Sequence, residues 1–418
     1  MNRVLLIPAA SPLHDPNLVE RVLNVYQRNL SKIIDGSLPL ITRREDLERD
    51  YFDENVLGII APLTGGTEHL IQYIFERCRF ILLLPHNSMN SLPAALEIFS
   101  KVKHTGKAWI ILEWPPGRKT QKFLKAWRVV NEIKKMKIGL IGEPSPWLVY
   151  SSGVDVEKGI SQLFEGLTLL RIGLSEIYHS MEEFSDLDLH PLTQELIRKA
   201  RTVHFQKNEL AKSIRIYLSL KKIFEKYSLD AATIGCFDII RDTGTTACLA
   251  ASLFNCRVSV FGCEGDLPAL LTMMLFSKLA EAPAFMGNIS WIQNNILTLT
   301  HCTAPLTIAN KFELDTHYES GKGVGVRCFV PTDRKATIGR LDPISKILRY
   351  TVGRTIKRAF QEQACRTQIN IKIQGSGKSG INNLTEESIG NHYIIVLKDI
   401  SEELKYVARI IGVRLERI

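Results

Sequence analysis

The hydrophobic pattern of the first third of the chain alternates short apolar runs with amphipathic segments. Short apolar runs bounded by turn residues are typical of buried strands, and apolar positions three or four residues apart are typical of helices. A β-α-β-α order predicts an open parallel sheet with helices on both faces. The predicted strands are RVLLIPA, VLGIIAPL, RFILLLP and AWIILEW.

A second α/β unit is predicted from KIGLIGEPSPWLVYSSG onward, because the prolines and glycines of this segment are typical of a boundary loop. A long helical region is expected over LFEGLTLLRIGLSEIYHSMEEF, and a charged helical stretch follows it. The segments AATIGCFDII and RVSVFGC are predicted to be the next strands of this unit.

After about residue 290 the pattern changes to short β-rich runs with few helices between them. In TQINIKIQ, the isoleucines alternate with polar residues, which indicates a half-buried strand. We therefore predict two open, doubly wound, Rossmann-like parallel-sheet domains, residues 1–147 and 148–290, followed by a β-rich, barrel-like C-terminal domain, residues 291–418. The Gly/Ser/Asn-rich segment from Gly375 to Asn391 is expected to form a long loop, and its use as a lid stays open.

Composition and charge narrow the classes of protein that fit. Lys and Arg number 53 against 44 Asp and Glu, which gives a formal charge of +9, but the basic residues are dispersed rather than grouped with stacking aromatics. We therefore expect no nucleic-acid partner.

No run approaches the roughly 20 apolar residues that span a bilayer, so no membrane association is expected. Pro8 interrupts the apolar run of the N-terminus, which suits a core strand of a cytoplasmic protein better than a secretory signal. The eight cysteines include no C-x-x-C pair and are expected to be reduced thiols.

The stretch FGCEGDLPALLTMML places two acids directly after an apolar run. Asp266 can cap the following helix, since Leu267 and Pro268 suit its first turn. Glu264 has no such structural role, and burying its carboxylate is costly without a cation. A metal ion or a buried cation beside Glu264 is the simplest explanation.

Two histidines and an asparagine extend this candidate site. His301 ends the apolar run ILTLT, and His392 begins the run HYIIV. One Glu and two His from separate strands form a reasonable ligand set for a divalent ion, although a lone histidine at a strand end is also a common structural residue. Asn288, in AFMGNIS, can offer a carbonyl oxygen to a hard cation.

The segment THYESGKG allows two interpretations. His317, Glu319 and Lys322 can contact a substrate, with Lys322 holding an anionic group, or the segment can be a turn whose glycines serve the backbone geometry. A plain turn is also the expectation for GGTE in the N-terminal part, with Thr67 as the cap of the next helix.

Together, the runs TTACLAASLFN, GCEGDLPALLTMMLFSKLAEAPAFMGNI, LTLTHCTAP and NHYIIVLKD resemble the L-fucose isomerase and L-arabinose isomerase superfamily, and in particular its shorter, fucose isomerase-like members. The resemblance implies a manganese-type divalent ion, a small-molecule sugar substrate and a homo-oligomer, trimer or hexamer, with shared active sites. It assigns Glu264 to the first metal-binding acid, His392 to the late histidine and His301 to the extra histidine of the arabinose isomerase branch.

One position departs from this superfamily. Its second acid, which takes part in metal binding and proton transfer, falls on Asn288, 24 residues after Glu264. The resemblance thus names Glu264 and Asn288 as catalytic positions and Glu264, Asn288, His301 and His392 as metal ligands. From their own chemistry and position, the expected substrate contacts are Asp266, His317, Glu319 and Lys322. An amide cannot act as a base at neutral pH.

Three functions fit this sequence. The leading hypothesis is an aldose–ketose isomerase that works through an ene-diolate, with Glu264 as the acid/base, helped by Asp266 or Glu319. The other two are a different reaction of a polyol-like substrate and a catalytically silent carbohydrate-binding or scaffold protein.

Overall fold

The structure is a computed structural model, and it describes residues 3–47, 51–52, 55–205, 207–256, 259–374 and 384–418. The chain forms two compact units, Met1–Asn131 and Glu132–Ile418. The three-part division proposed from the sequence stays a prediction. Most of the expected loop between Gly375 and Asn391, residues 375–383, lies outside the described residues.

The first unit is built on a five-stranded sheet whose neighbouring strands are all parallel. The strands are β1 (Arg3–Ala9), β2 (Gly36–Ser37), β3 (Val56–Pro62), β4 (Phe80–Leu83) and β5 (Ala108–Ile110). The helices are α1 (Pro16–Leu30), α2 (Glu68–Phe75), α3 (Ser91–Val102) and α4 (Arg118–Ile133). The strand order β2-β1-β3-β4-β5 reverses direction once, as in doubly wound folds. The four strands predicted here are confirmed.

The second unit begins with a four-stranded parallel sheet, as predicted. Its strands are β6 (Lys137–Ile141), β7 (Thr168–Ile172), β8 (Ala231–Ile234) and β9 (Val260–Cys263), in the order β7-β6-β8-β9. Its helices are α5 (Val154–Leu163), α6 (Ser175–Glu182), α7 (Asp186–Lys199), α8 (Lys207–Tyr227), α9 (Cys236–Thr243), α10 (Cys248–Phe254) and α11 (Leu267–Ala280).

Two local predictions in this part are wrong. The region expected to be one long helix contains strand β7, whose apolar residues TLL pair with β6. The segment AATIGCFDII is a strand only as far as Ile234, and Cys236 begins a helix. Gly235 separates the two, and a Cβ there would lie 2.1 Å from the carbonyl oxygen of Glu143. Such a close approach of two backbones requires glycine.

The rest of the second unit is a closed β-barrel, which confirms the β-rich C-terminal region. Six antiparallel strands each pair with two neighbours, in the cyclic order β14-β17-β10-β11-β16-β15. Their bounds are β10 (Phe285–Gln293), β11 (Ile296–His301), β14 (Lys335–Asp342), β15 (Ile347–Ile356), β16 (Thr367–Ile373) and β17 (His392–Val396). A hairpin-like pair, β12 (Phe312–Asp315) and β13 (Gly325–Cys328), packs beside it, and α12 (Ser401–Ile411) leads to β18 (Arg414–Arg417), which adds to β15.

The alternation of apolar and polar residues along β16 matches the burial of its side chains. Ile369, Ile371 and Ile373 of β16 are buried, whereas the residues between them are not, as the sequence predicts. They join a core that includes Phe285, Leu297 and other barrel residues. Within the described residues, no helix has the length and apolar character needed to cross a bilayer.

Candidate metal centre

The centre of the candidate site is the turn between β9 and α11. Glu264 follows the buried strand β9 and has a φ of 62°, and Gly265 has a φ of 76°. A left-handed backbone is uncommon for residues other than glycine and often accompanies function. The turn is held on one side by the backbone N–H of Ser145, which donates to the carbonyl oxygen of Glu264 at 2.8 Å. This geometry directs a carboxylate to the carboxyl end of the parallel sheet.

Three buried side chains meet there. Oε1 of Glu264 lies 3.6 Å from Nε2 of His392 and 3.9 Å from Nε2 of His301. One ligand atom from each of the three residues falls within 4.8 Å of the other two, so together they could hold a metal ion. The barrel supplies both histidines, because β11 ends at His301 and β17 begins at His392.

His392 is oriented by a chain of buried charges. Its Nδ1 lies 2.9 Å from Oδ2 of Asp266. Asp266 is fully buried and also accepts two hydrogen bonds from Arg340, at 3.1 and 3.2 Å, and one from the backbone N–H of Ala269. An ionised carboxylate only accepts hydrogen bonds, so Nδ1 of His392 carries the proton and donates it. When the ring loses its second proton, Nε2 presents a lone pair that a metal ion can accept.

Arg340 anchors this chain of charges within the second unit. It is 1% exposed and donates to the carbonyl oxygens of Ile389 and His392 and to the hydroxyl of Ser151, besides Asp266. A guanidinium offers five donors in a fixed plane, and here they fix both the Asp266 carboxylate and the backbone of His392.

The charges shift the pKa values of the four groups in different directions. Burial alone would raise the pKa of Asp266, but Arg340 and His392 lower it to about 2. Burial would lower the pKa of His392, but the hydrogen bond to Asp266 and the negative charges of Asp266 and Glu264 raise it to about 9. Burial and the neighbouring His392 lower the pKa of His301 to about 3. The pKa of Glu264 is lowered, since His392, His301 and Trp147 outweigh its burial.

The residues fit a divalent metal ion. Nε2 of His392 is buried without a hydrogen-bond partner, and a bound cation would satisfy it. His301 is neutral at pH 7, and the hydroxyl of Thr303, 2.9 Å from its Nδ1, can accept the Nδ1 proton and leave Nε2 free. A carboxylate that hydrogen-bonds a histidine opposite its metal-binding nitrogen is a common outer shell of metal sites.

Asn288 lies beside these ligands. It pairs with His392 across β10 and β17 and with Thr300 across β10 and β11. Its side-chain oxygen accepts a hydrogen bond from the amide of Asn391 at 3.0 Å.

A small cavity connects several of the predicted residues. Glu264, Asn288, His301, His317 and Glu319 all line it, and its volume is about 20 Å³. That is enough for one water-sized molecule.

The other two predicted substrate contacts, Lys322 and Asp266, do not line this cavity. Lys322 is exposed and does not line the cavity, although its carbonyl oxygen accepts a hydrogen bond from the backbone N–H of His317 and closes the turn. Asp266 is occupied by Arg340, His392 and Ala269.

Sequence reasoning missed several neighbours of the site. The indole N–H of Trp147 donates to Oε2 of Glu264 at 2.7 Å, and the Trp147 ring packs edge-on against Phe237 at 4.4 Å. Arg340 was also missed, because its partner is 74 residues away in the chain. Five of the eight cysteines line the cavity: Cys236, Cys248, Cys263, Cys302 and Cys365.

Comparison with known proteins gives distant relatives. No family model matches the chain. Sulfoquinovose isomerase of Alkalicoccus urumqiensis is 20% identical over 298 residues, which cover 67% of this chain and 64% of the relative. Sulfoquinovose isomerase of Priestia megaterium is 20% identical over 292 residues, 68% of this chain and 65% of the relative. Sulfoquinovose isomerase of Clostridium sp. (strain MSTE9) is 22% identical over 321 residues, which cover 71% of this chain and 68% of the relative. The matches thus span slightly under two thirds of the first two relatives, and the chain is distantly similar to proteins named as sugar isomerases.

Proposed function

We propose that this protein is an aldose–ketose isomerase of a small sugar and that Glu264, His301 and His392 hold a divalent ion, with Mn²⁺ as the first candidate. The observation that carries the proposal is the buried Glu/His/His group, in which Nε2 of His392 has no hydrogen-bond partner and Asp266 orients the ring from the other side. The similarity to proteins named sulfoquinovose isomerase supports the sugar substrate and the reaction class.

The ion and the side chains have separate tasks in this proposal. A divalent ion would polarise the sugar carbonyl and stabilise the negative charge that develops as the ene-diolate forms. Glu264 would bind the ion through Oε1, which faces His392, while the indole N–H of Trp147 donates to Oε2. In this proposal Asp266 positions His392 and does not itself contact the substrate. Asn288 contributes an amide beside His392 and takes no part in proton transfer.

Glu319 is the second carboxylate of the cavity, and we assign it a share of the proton transfer. It lines the same cavity as Glu264, and burial together with the charge of Glu264 raises its pKa. The two acids therefore have opposite pKa shifts, a pattern that separates a metal-binding carboxylate from a proton-transfer group. Glu319 would take the proton from one carbon and return it to its neighbour.

A sugar requires this cavity to open. Ligand pockets are typically about 300–1,000 Å³, far above the roughly 20 Å³ found here. Trp147 is 49% exposed and rests on Phe237, itself half-buried, so these two rings are the side chains whose movement would admit a substrate. Sulfoquinovose, the sugar in the relatives' names, is the first substrate to test, and Lys322 and His317 are the predicted contacts to it.

The first experiment is thermal melting of the protein with Mn²⁺, Co²⁺, Mg²⁺ or EDTA. An ion that binds only the folded state at 100 times its Kd adds about 2.7 kcal/mol. We expect Mn²⁺ to raise the Tm of the wild type but not of Glu264→Gln. The matched control is Glu143→Gln, which removes an exposed acid near the same end of the sheet and should keep the response. An unchanged Tm with every ion would contradict the proposed centre.

The second experiment tests the reaction itself. Incubation with sulfoquinovose and with simple aldoses and ketoses in D₂O should incorporate deuterium at the carbon next to the carbonyl, detected by NMR. Glu319→Gln should lower the exchange rate about 100-fold and keep the Mn²⁺-dependent rise in Tm. Glu264→Gln should lose both.

A catalytically silent carbohydrate-binding protein is the second candidate, and Asn288 at an acid position of the superfamily favours it. This alternative predicts sugar binding by calorimetry without deuterium exchange. The expected trimer or hexamer is a separate proposal, and light scattering of the purified protein measures it.

A further inference from the structure

Two cysteines stand at the carboxyl ends of neighbouring strands. Cys263 is the last residue of β9, and Cys236 lies two residues beyond the end of β8. Because β8 and β9 pair in parallel, with Ile234 opposite Cys263, their ends meet at the same edge of the sheet. The two side chains are directed to the same point, and the thiol of Cys263 donates to Sγ of Cys236 at 3.1 Å.

This distance is close to that of a bond. A disulfide has an S–S distance of about 2.03–2.05 Å, so the two sulfur atoms need to approach by only about 1 Å. Cys263 ends β9 directly before the turn that carries Glu264, and Cys236 begins α9, so the bond would join a strand end to a helix start.

The cavity can hold a small oxidant beside the pair. Both residues line it, although Cys236 is only 4% exposed and Cys263 only 3%. The cavity has room for a molecule of the size of water. Hydrogen peroxide is only slightly larger, whereas a peptide disulfide such as oxidised glutathione is far too large to enter.

We infer that Cys236 and Cys263 form a dithiol that hydrogen peroxide oxidises to a disulfide. One sulfur attacks a peroxide oxygen, which breaks the O–O bond, releases one water and leaves a sulfenic acid. The second sulfur then attacks the sulfenic sulfur, the S–S bond forms and a second water leaves. Two thiols and one peroxide give one disulfide and two waters, so the peroxide takes up both electrons and the two thiol protons.

The other cysteines include a control and a second pair, since Cys302 and Cys365 also hydrogen-bond each other. Cys78 is buried in the first unit and donates to backbone carbonyl oxygens, and it is the matched control for a buried thiol with no sulfur contact within the described residues. Cys302 and Cys365 line the same cavity and are the alternative site of oxidation.

The test uses the full-length protein, fully reduced and then treated with millimolar hydrogen peroxide. Free thiols are blocked at low pH before unfolding, and disulfide-linked peptides are mapped by mass spectrometry. We expect a cross-linked peptide that joins Cys236 to Cys263, a mass about 2 Da below that of the reduced pair, and full reversal by dithiothreitol. Cys78→Ser should give the same result.

Two variants keep the assignment falsifiable. In Cys236→Ser and Cys263→Ser the remaining cysteine should stop at the sulfenic acid, which dimedone labels. If Cys236 and Cys263 are still fully alkylated after peroxide treatment, both thiols have stayed free and the proposal is overturned. A cross-link that joins only Cys302 to Cys365 also overturns it. The readout is a mass, so it does not depend on metal binding or on isomerase activity.

Discussion

The strongest quantitative prediction concerns the proton on His392 in the metal-free protein. Its pKa is raised from 6.5 to about 9 because the hydrogen bond to Asp266 and the negative charges of Asp266 and Glu264 outweigh the effect of burial. At about 1.36 kcal/mol for each pKa unit, this difference is worth roughly 3 kcal/mol of folding free energy. Without metal, the proton takes the place of the cation between the two acids.

The direction of the pH dependence follows from linkage. A group whose pKa is higher in the folded state stabilises that state fully below its unfolded pKa, here 6.5. The stabilisation is lost as the pH rises through the folded value of about 9. Between pH 7 and pH 8.5, this single group should cost the wild type roughly 2 kcal/mol.

Other groups near the site act elsewhere on the pH scale. The pKa of His301 is lowered to about 3 and that of His317 to about 4, so both destabilise the folded state as the pH falls below 6.5. Glu264 and Asp266 have lowered pKa values, and their stabilisation is lost only in acid. Comparison of variants over pH 7 to 8.5 therefore isolates His392.

The assay is urea unfolding in EDTA at pH 7 and pH 8.5, for the wild type and for His392→Gln. The wild type should lose roughly 2 kcal/mol more than the variant over this interval. His190→Gln, which removes an exposed imidazole from α7, should behave as the wild type. Equal losses in wild type and His392→Gln would refute the buried imidazolium. Saturating Mn²⁺ should abolish the excess loss, because binding displaces the proton.

Three further outcomes follow from the same geometry. Asn288→Asp adds a carboxylate beside His392 and should tighten Mn²⁺ binding at least tenfold, or about 1.4 kcal/mol, measured by calorimetry. Arg340→Met leaves Asp266 buried without its cation and should lower the free energy of unfolding by about 3–5 kcal/mol, measured in urea; a loss below 1 kcal/mol would contradict the buried pair. Trp147→Phe removes the N–H donated to Glu264 and should weaken Mn²⁺ binding about fivefold, or roughly 1 kcal/mol, with unchanged affinity as the contradicting result.

The alternation of apolar and polar residues was sufficient to predict the fold class. Continuous apolar runs gave the strands of both parallel sheets, and the alternating isoleucines of β16 gave a barrel strand. The pattern failed at β7, because the run TLLRI also fits one side of a helix and only its pairing with β6 decides between the two. It failed again at Cys236, where a helix begins one residue after a glycine.

The three residues of the buried Glu/His/His group were predictable from the sequence, but their supporting residues were not. Glu264 was recognised because a carboxylate after a buried strand needs a cation, and the histidines because each lies at a strand end. Arg340 lies inside β14, in a pattern that any barrel strand can have, and its distance from Asp266 along the chain hides the pair. The Trp147 contact to Glu264 is equally long-range, 117 residues apart. Such partners follow from tertiary structure alone.

The balance of buried charges gives a consequence of the amide at position 288 for the proposed metal site. Glu264 and Asp266 supply two negative charges, and Arg340 and protonated His392 supply two positive charges, so the metal-free centre is neutral. Exchange of the His392 proton for a divalent ion leaves one positive charge in excess. A carboxylate at position 288 would cancel it before substrate binds, whereas Asn288 does not. The excess charge would then be available to an anionic group, and in the proposed isomerase reaction the negative charge of the ene-diolate would form here. Asn288 would therefore weaken metal binding in the absence of substrate. It would also make the electrostatic stabilisation of the transition state larger than that of the ground state, and this difference in stabilisation accelerates a reaction.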